Sequence, residues 1–159
     1  DGSRLGFTEN SFLQYDIAEK EIGRGCYFLA WPTGHDYVVG FIGGRFAWDL
    51  SKQSEDKIVE YALSKLASLH GSNIRKHFLK GFASDWANNP LTVGAYSAVK
   101  PGCYGARELL SEPIAEKLIF AGEATGGNLA GLVNGAYESG KMAAIQISNL
   151  IKAKISPFY

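Results

Sequence analysis

The stretch Leu118-Ile-Phe-Ala-Gly-Glu-Ala-Thr125, continued by Gly131-Leu-Val-Asn-Gly-Ala-Tyr-Glu-Ser-Gly140, decides how this chain is read. The apolar run 117–121 predicts a short strand, Gly122 to Gly131 a glycine-rich turn, and residues 131–152 a long helix whose basic end suits the helix dipole. A strand–turn–helix of this kind brings backbone N–H groups to a helix N-terminus, which favours an anionic or electron-rich ligand. Each glycine at 131, 135 and 140 costs a helix up to about 1 kcal/mol relative to alanine, so helix propensity does not explain them. With Ala136, Ala143 and Ile147 they predict a stripe of small residues along which something flat, or a second backbone, approaches closely. On spacing alone, a helix packed tightly on a sheet fits equally well.

Working outward, residues 9–16, 26–31 and 37–42 predict three strands of an antiparallel meander, with Pro32, Gly34 and Asp36 marking a turn. Ser54 followed by Glu55 and Asp56 predicts a helix start. Ile58, Val59, Ala62, Leu63, Leu66 and Leu69 then recur on one helical face up to Gly71. Residues 76–84 predict a further strand with Phe78 and Phe82 on one side. Residues 85–116 are dominated by turn formers, with a short helix predicted at 107–110, and a loop region this long inside a compact domain is commonly functional. The fold class expected is α+β: a mixed or antiparallel sheet with packed helices, followed by the strand, glycine turn and long helix at the C-terminal end.

Composition narrows the function. The chain has 159 residues, the size of one ordinary domain, and 46% apolar residues, enough for a core. Its 16 basic and 16 acidic residues cancel, which argues against nucleic acid or an anionic membrane as partner. Nothing resembles a signal peptide or a membrane span. Cys26 and Cys103 lack CxxC spacing, and His35, His70 and His77 offer no helical i, i+4 pair, so no metal site is expected. Buried thiols in a reducing, cytoplasmic setting are the expectation for the two cysteines. Asp1 in place of a methionine, with a strand-like run soon after it, implies a chain that begins in mid-domain. Glycine is the outlier at 19 residues, six of them between 122 and 140.

Here the sequence resembles the flavin-dependent amine oxidases, the family of monoamine and polyamine oxidases and the flavin-type histone demethylases. The run from Phe120 to Thr125 and the run from Gly131 to Ala144 look like that family's C-terminal signature. Upstream, Ser84-Asp-Trp86, Asn89-Pro90, Gly94-Ala-Tyr-Ser97 and Pro101-Gly102 follow the family's order of motifs. The resemblance implies a substrate-binding portion at 1–116 and a segment of the FAD domain at 117–159. It implies that Glu123 binds the ribityl or ribose part of FAD, with Gly122 and Ala124 shaping the turn. Leu132 and Val133 would then present helix-start amides to the flavin ring, and Ala136 would pack beneath it. By the same resemblance Trp86 lies near the flavin and Tyr96 forms one wall of an aromatic cage for a small-molecule amine. The reaction implied is hydride transfer from the carbon beside the amine nitrogen to flavin N5, giving an imine and, with oxygen, hydrogen peroxide.

Three features depart from the family. Aligning the strand at Phe12–Tyr15 puts Asn10 where many members carry a lysine. Leu129 and Leu132 occupy the region of a second cage aromatic. The chain contains no G-x-G-x-x-G, so the main grip on FAD is expected from a missing N-terminal half, and the isolated chain is expected to be inactive. A non-catalytic binding module derived from the fold, or a flavin oxidase acting on amino acids, are the alternatives. Arg45, Arg75 and Arg107 are candidate partners for an acidic substrate, although none lies in a matching motif. The small-residue stripe of the last helix, expected to be exposed, would favour a homo-oligomer.

Overall fold

The computed structural model describes residues 4–14 and 22–155. They gather into two compact units that divide between Val93 and Gly94.

In the first unit, β1 (Ser11–Leu13), β2 (Tyr27–Ala30) and β3 (Val38–Phe41) form a three-stranded antiparallel sheet in the order β1-β2-β3. Phe12 lies opposite Leu29, and Leu29 opposite Val39. Along β2 the side chains alternate: Phe28 and Ala30 are buried, whereas Tyr27 is exposed. This alternation is the period-two pattern of a sheet with one covered face. The expected first strand, 9–16, and the connection up to Gly25 fall partly on residues 15–21, outside the described residues.

Two helices follow, α1 (Gly44–Leu50) and α2 (Glu55–His70). The face predicted for α2 points inward: Leu66 is buried, and Ile58, Val59, Ala62, Leu63 and Leu69 are half-buried. Ser54 precedes the helix in an extended conformation, and its carbonyl accepts the N–H groups of Lys57 and Ile58. Its hydroxyl makes no capping bond, so the start rests on the backbone and on Glu55 and Asp56 in the first turn. Gly71, at φ +95°, ends the helix in a backbone conformation that side chains resist. Cys26, Phe28, Leu66 and Ile74 form the buried cluster, with Leu13, Val38, Ala62 and Leu69 packed around it.

α1, around Phe46-Ala-Trp48, is an element not expected from the sequence; the Phe46 ring packs 5.0 Å from that of Tyr61 on α2. One expectation about this unit needs correction. Residues 76–84 form no strand. Ser72–His77 is a 3₁₀ turn, and the segment beyond it lies along α2 instead of joining the sheet. The N–H of Ala83 donates to the Glu55 carboxylate at 3.0 Å. A Cβ at Gly81 would come within 2.6 Å of Val59. Apolar alternation makes a strand only where another strand supplies the ladder, and here a helix face takes its place.

In the second unit, α3 (Ala106–Ser111) covers the short helix expected at 107–110, and α4 (Val133–Ile155) is the long helix. The strand expected at 117–121 is reduced to one antiparallel bridge, Ile114 with Leu118, closed by Ala115 and Glu116 at positive φ. No neighbouring strand extends that ladder among the described residues. The glycine-rich turn contains two short 3₁₀ turns, Glu123–Thr125 and Gly127–Leu129. α4 starts two residues later than predicted because Gly131 sits at φ +80°, outside the α-helical region.

The small-residue stripe is also rearranged. Gly135, Ser139 and Ala143, spaced i, i+4 and i+8, are the buried line of α4, while Gly140 and Ile147 are exposed. A Cβ on Gly135 would collide with the Leu129 carbonyl, and one on Gly126 would stand 3.0 Å from the Gly135 Cα. The stripe thus receives a second backbone, that of the chain's own turn. Cys26 is buried, but Cys103 is exposed, contrary to the expectation of two buried thiols, and neither forms a disulfide. No described helix is long and apolar enough to cross a membrane, and the described residues contain no cluster suited to a metal ion.

Candidate functional site

The second unit brings the glycine turn, the start of α4 and the Tyr96–Ser97 segment together around one carboxylate. Glu123 Oε1 accepts the Ser97 N–H at 2.8 Å. Its Oε2 accepts both the Ser97 hydroxyl at 3.0 Å and the Gly131 N–H at 2.7 Å. Burial by itself pushes this carboxyl up. The bonds from Ser97 and Gly131 and the positive charge of Arg107 outweigh that and hold it below its ordinary value. The group is therefore an ionised acceptor at neutral pH. A carboxylate offers about four lone-pair positions, and these bonds take three, leaving one on Oε1.

A second set of bonds closes the turn onto the helix. The Gly122 N–H donates to Ser139 Oγ at 2.9 Å, and that oxygen lies at the same distance from the carbonyls of Gly122 and Ala136. Thr125 Oγ1 donates back to the Gly122 carbonyl at 3.0 Å. Gly122, Glu123 and Ala124 thus lie where a shaped turn is expected, fixed at both ends. Ala136 is half-buried one turn into α4.

The expected ring contacts divide. Leu132 and Val133 have exposed side chains at the start of α4. The Leu132 N–H, however, donates to the Leu129 carbonyl at 3.2 Å and is engaged within the turn. Helix geometry leaves the N–H groups of Val133 and Asn134 without an acceptor inside α4. Tyr96 is exposed, and its ring lies 3.9 Å from where a Gly131 Cβ would stand, so bare backbone faces the aromatic side chain. Trp86 belongs to the first unit, exposed beside Asp85 and Asn89, with its carbonyl accepting the Thr92 hydroxyl at 2.8 Å. A separate recess of about 370 Å³ lies along α4, lined by Phe120, Glu138 and Met142, and includes none of the expected flavin contacts.

Asn10 is not on a strand. It occupies a left-handed turn (φ +57°) just before β1, where its Oδ1 accepts the Thr33 N–H at 2.7 Å. Asparagine suits that conformation, and the side chain is a turn staple. Among the candidate arginines, Arg75 is committed to a two-pronged pair with Glu60 at 2.9 and 2.7 Å. Arg107, a candidate partner for an acidic substrate, instead spends its guanidinium on Ser97 and Ala124 at the centre of the site.

Comparison with known proteins identifies the family. The family described as flavin containing amine oxidoreductase matches residues 9–148. Polyamine oxidase 3 of Oryza sativa subsp. japonica is 35% identical over 127 residues, covering 76% of this chain and 25% of its own length. Histone demethylase-like protein A of Aspergillus fumigatus is 32% identical over 163 residues, covering 94% of the chain and 14% of the relative. Lysine-specific histone demethylase 1 homolog 3 of Arabidopsis thaliana is 28% identical over 141 residues, covering 86% of the chain and 9% of the relative. The chain thus spans a quarter or less of the length of these relatives.

Proposed function

The chain belongs to the flavin containing amine oxidoreductases, and from that premise we propose that it forms the flavin-facing C-terminal part of an FAD-dependent amine oxidase. In this reading residues 1–116 serve the substrate side and 117–159 the FAD domain. The observation that carries it is the Glu123 carboxylate, held ionised with one acceptor position left on Oε1, beside the bare backbone of Gly131. That donor-seeking group fits the hydroxyl-bearing ribityl or ribose part of FAD. The exposed Tyr96, Leu132 and Val133 in the same unit fit an aromatic ring system that needs apolar cover.

When bound, FAD supplies the acceptor for a hydride leaving the carbon beside an amine nitrogen, and the imine so formed is hydrolysed. The chain's own residues bind and orient. Glu123 would hold a cofactor hydroxyl, with Gly122 and Ala124 setting its position. The first-turn amide of Val133 would offer positive dipole to the electron-rich ring, and Ala136 would pack against it. Tyr96 supplies an aromatic face that attracts a cationic or polar amine, and Trp86 is kept for the flavin. The polyamine oxidases and histone demethylases among the relatives point to an amine as substrate.

Because the chain contains no G-x-G-x-x-G, it binds FAD weakly when alone and oxidises no amine. The test is gel filtration of the purified chain with FAD, alone and joined to a family segment that carries that motif. Peroxide release is then measured with polyamines and N-methylated lysine peptides. A flavin absorption band and peroxide should appear only in the joined protein. A band retained by the chain alone overturns the dependence on the other segment, and a joined protein without flavin overturns the reading itself.

A further inference from the structure

Arg107 lies outside every motif that pointed to the site, yet its guanidinium is at the site's centre. Nη1 donates to Ser97 Oγ at 2.7 Å and to the Ala124 carbonyl at 2.9 Å, and Nη2 donates to the Ser97 carbonyl at 3.1 Å. Arginine has donors only, so Ser97 Oγ must act as acceptor toward it. A serine hydroxyl owns one hydrogen, and with a lone pair given to Arg107 that hydrogen goes to Glu123 Oε2, 3.0 Å away. The direction of the chain Arg107 to Ser97 to Glu123 is therefore determined by valence alone. The same guanidinium grips the carbonyl of Ala124, the residue next to Glu123, so it holds both the carboxylate's donor and the backbone that carries the carboxylate.

Resting on the flavin reading above, we propose that Arg107 is the positioning residue of this site: it makes the Ser97 hydroxyl a donor and pins the Ala124 carbonyl. Glu123 then spends Oε2 on Ser97 and Gly131 and keeps Oε1 for a cofactor hydroxyl. Lysine is no substitute, because a single ammonium does not span two carbonyls and a hydroxyl in the planar geometry of a guanidinium. The groups facing the Glu123 carboxylate are the N–H and hydroxyl of Ser97, the N–H of Gly131 and, as the charge, Arg107.

The test uses the chain joined to the family segment that carries G-x-G-x-x-G, with and without FAD, and the variants Arg107→Gln, Arg107→Lys, Ser97→Ala and Arg107→Gln/Ser97→Ala. The first readout needs no cofactor: the carboxyl carbon of Glu123 is titrated by NMR, and Arg107→Gln should move its midpoint upward. The second is the FAD dissociation constant, expected to rise about tenfold in Arg107→Gln, the loss of one charge-assisted hydrogen bond. In the Ser97→Ala background the Arg107→Gln effect on FAD should shrink, because the relay is already cut. Arg107→Lys should keep the titration near wild type while losing part of the FAD affinity; it also carries the test if Arg107→Gln fails to fold. An unmoved Glu123 midpoint, or effects of the two substitutions that simply add, overturns the proposal. A moved midpoint in a protein that binds no FAD overturns the flavin reading and leaves the relay standing.

Discussion

In the first unit Cys26, Phe28, Leu66 and Ile74 leave water together, drawn from the sheet, from α2 and from the turn after it. In the second unit the described residues that are buried are Gly135, Ser139 and Ala143, with little side-chain bulk among them. The turn there is held by the bonds of Glu123, Ser139 and Arg107 and by backbone resting on backbone at Gly126 and Gly135. Hydrophobic burial is non-directional and tolerates adjustment, whereas hydrogen bonds to a carboxylate fix distances. The difference places stability in one half of the chain and positional accuracy in the other.

Substitutions break or sharpen this contrast. The largest effect belongs to the first unit: Phe28→Ala should cost about 3–5 kcal/mol in urea unfolding. It should leave hydrogen exchange at the Gly131 amide unchanged, and faster exchange there would merge the two halves into one cooperative body. Gly135→Ala comes next, at about 1–3 kcal/mol, because the added methyl meets the Leu129 carbonyl instead of a side chain that can move. Its signature is faster exchange in the first turns of α4 with the sheet amides unaffected.

Acid should act on the second unit through Glu123. Its pKa is lowered on folding, so the stabilisation is fully present above the ordinary value of 4.5 and is lost as pH falls through the folded-state value. Melting curves of wild type and Glu123→Gln should therefore differ at pH 7 and converge in strong acid. A difference that persists unchanged at low pH would remove the carboxylate from the account. The smallest effect is expected at Arg75, whose pair with Glu60 is solvent-exposed: Arg75→Ala should leave the melting temperature unchanged.

Much of the fold was legible because its signals are local. The strand and turn residues from Tyr27 to Phe41 and the apolar face of α2 state their structure within a few residues of sequence. Residues 76–84 misled because Phe78 and Phe82 have strand-like spacing, and the packing against Val59 that decides the matter is not written beside them. The site shows the same boundary. Glu123 was legible from its motif, and Ser97 stood inside a motif without a role. Arg107 was not readable, since its bonds reach residues 10 and 17 positions away. A serine and an arginine at that separation carry no pattern until folding brings them together.

The two thiols offer a practical opening. Burial pushes the Cys26 thiol up to about 12, partly offset by Lys65, so almost none of it is thiolate at neutral pH, and thiolate is the reactive form. Cys103 is exposed. A maleimide dye added to this chain near pH 7 should attach at Cys103 alone, four residues before Arg107. The sequence therefore already contains a single address for a fluorescent reporter in the unit that carries Glu123 and Arg107.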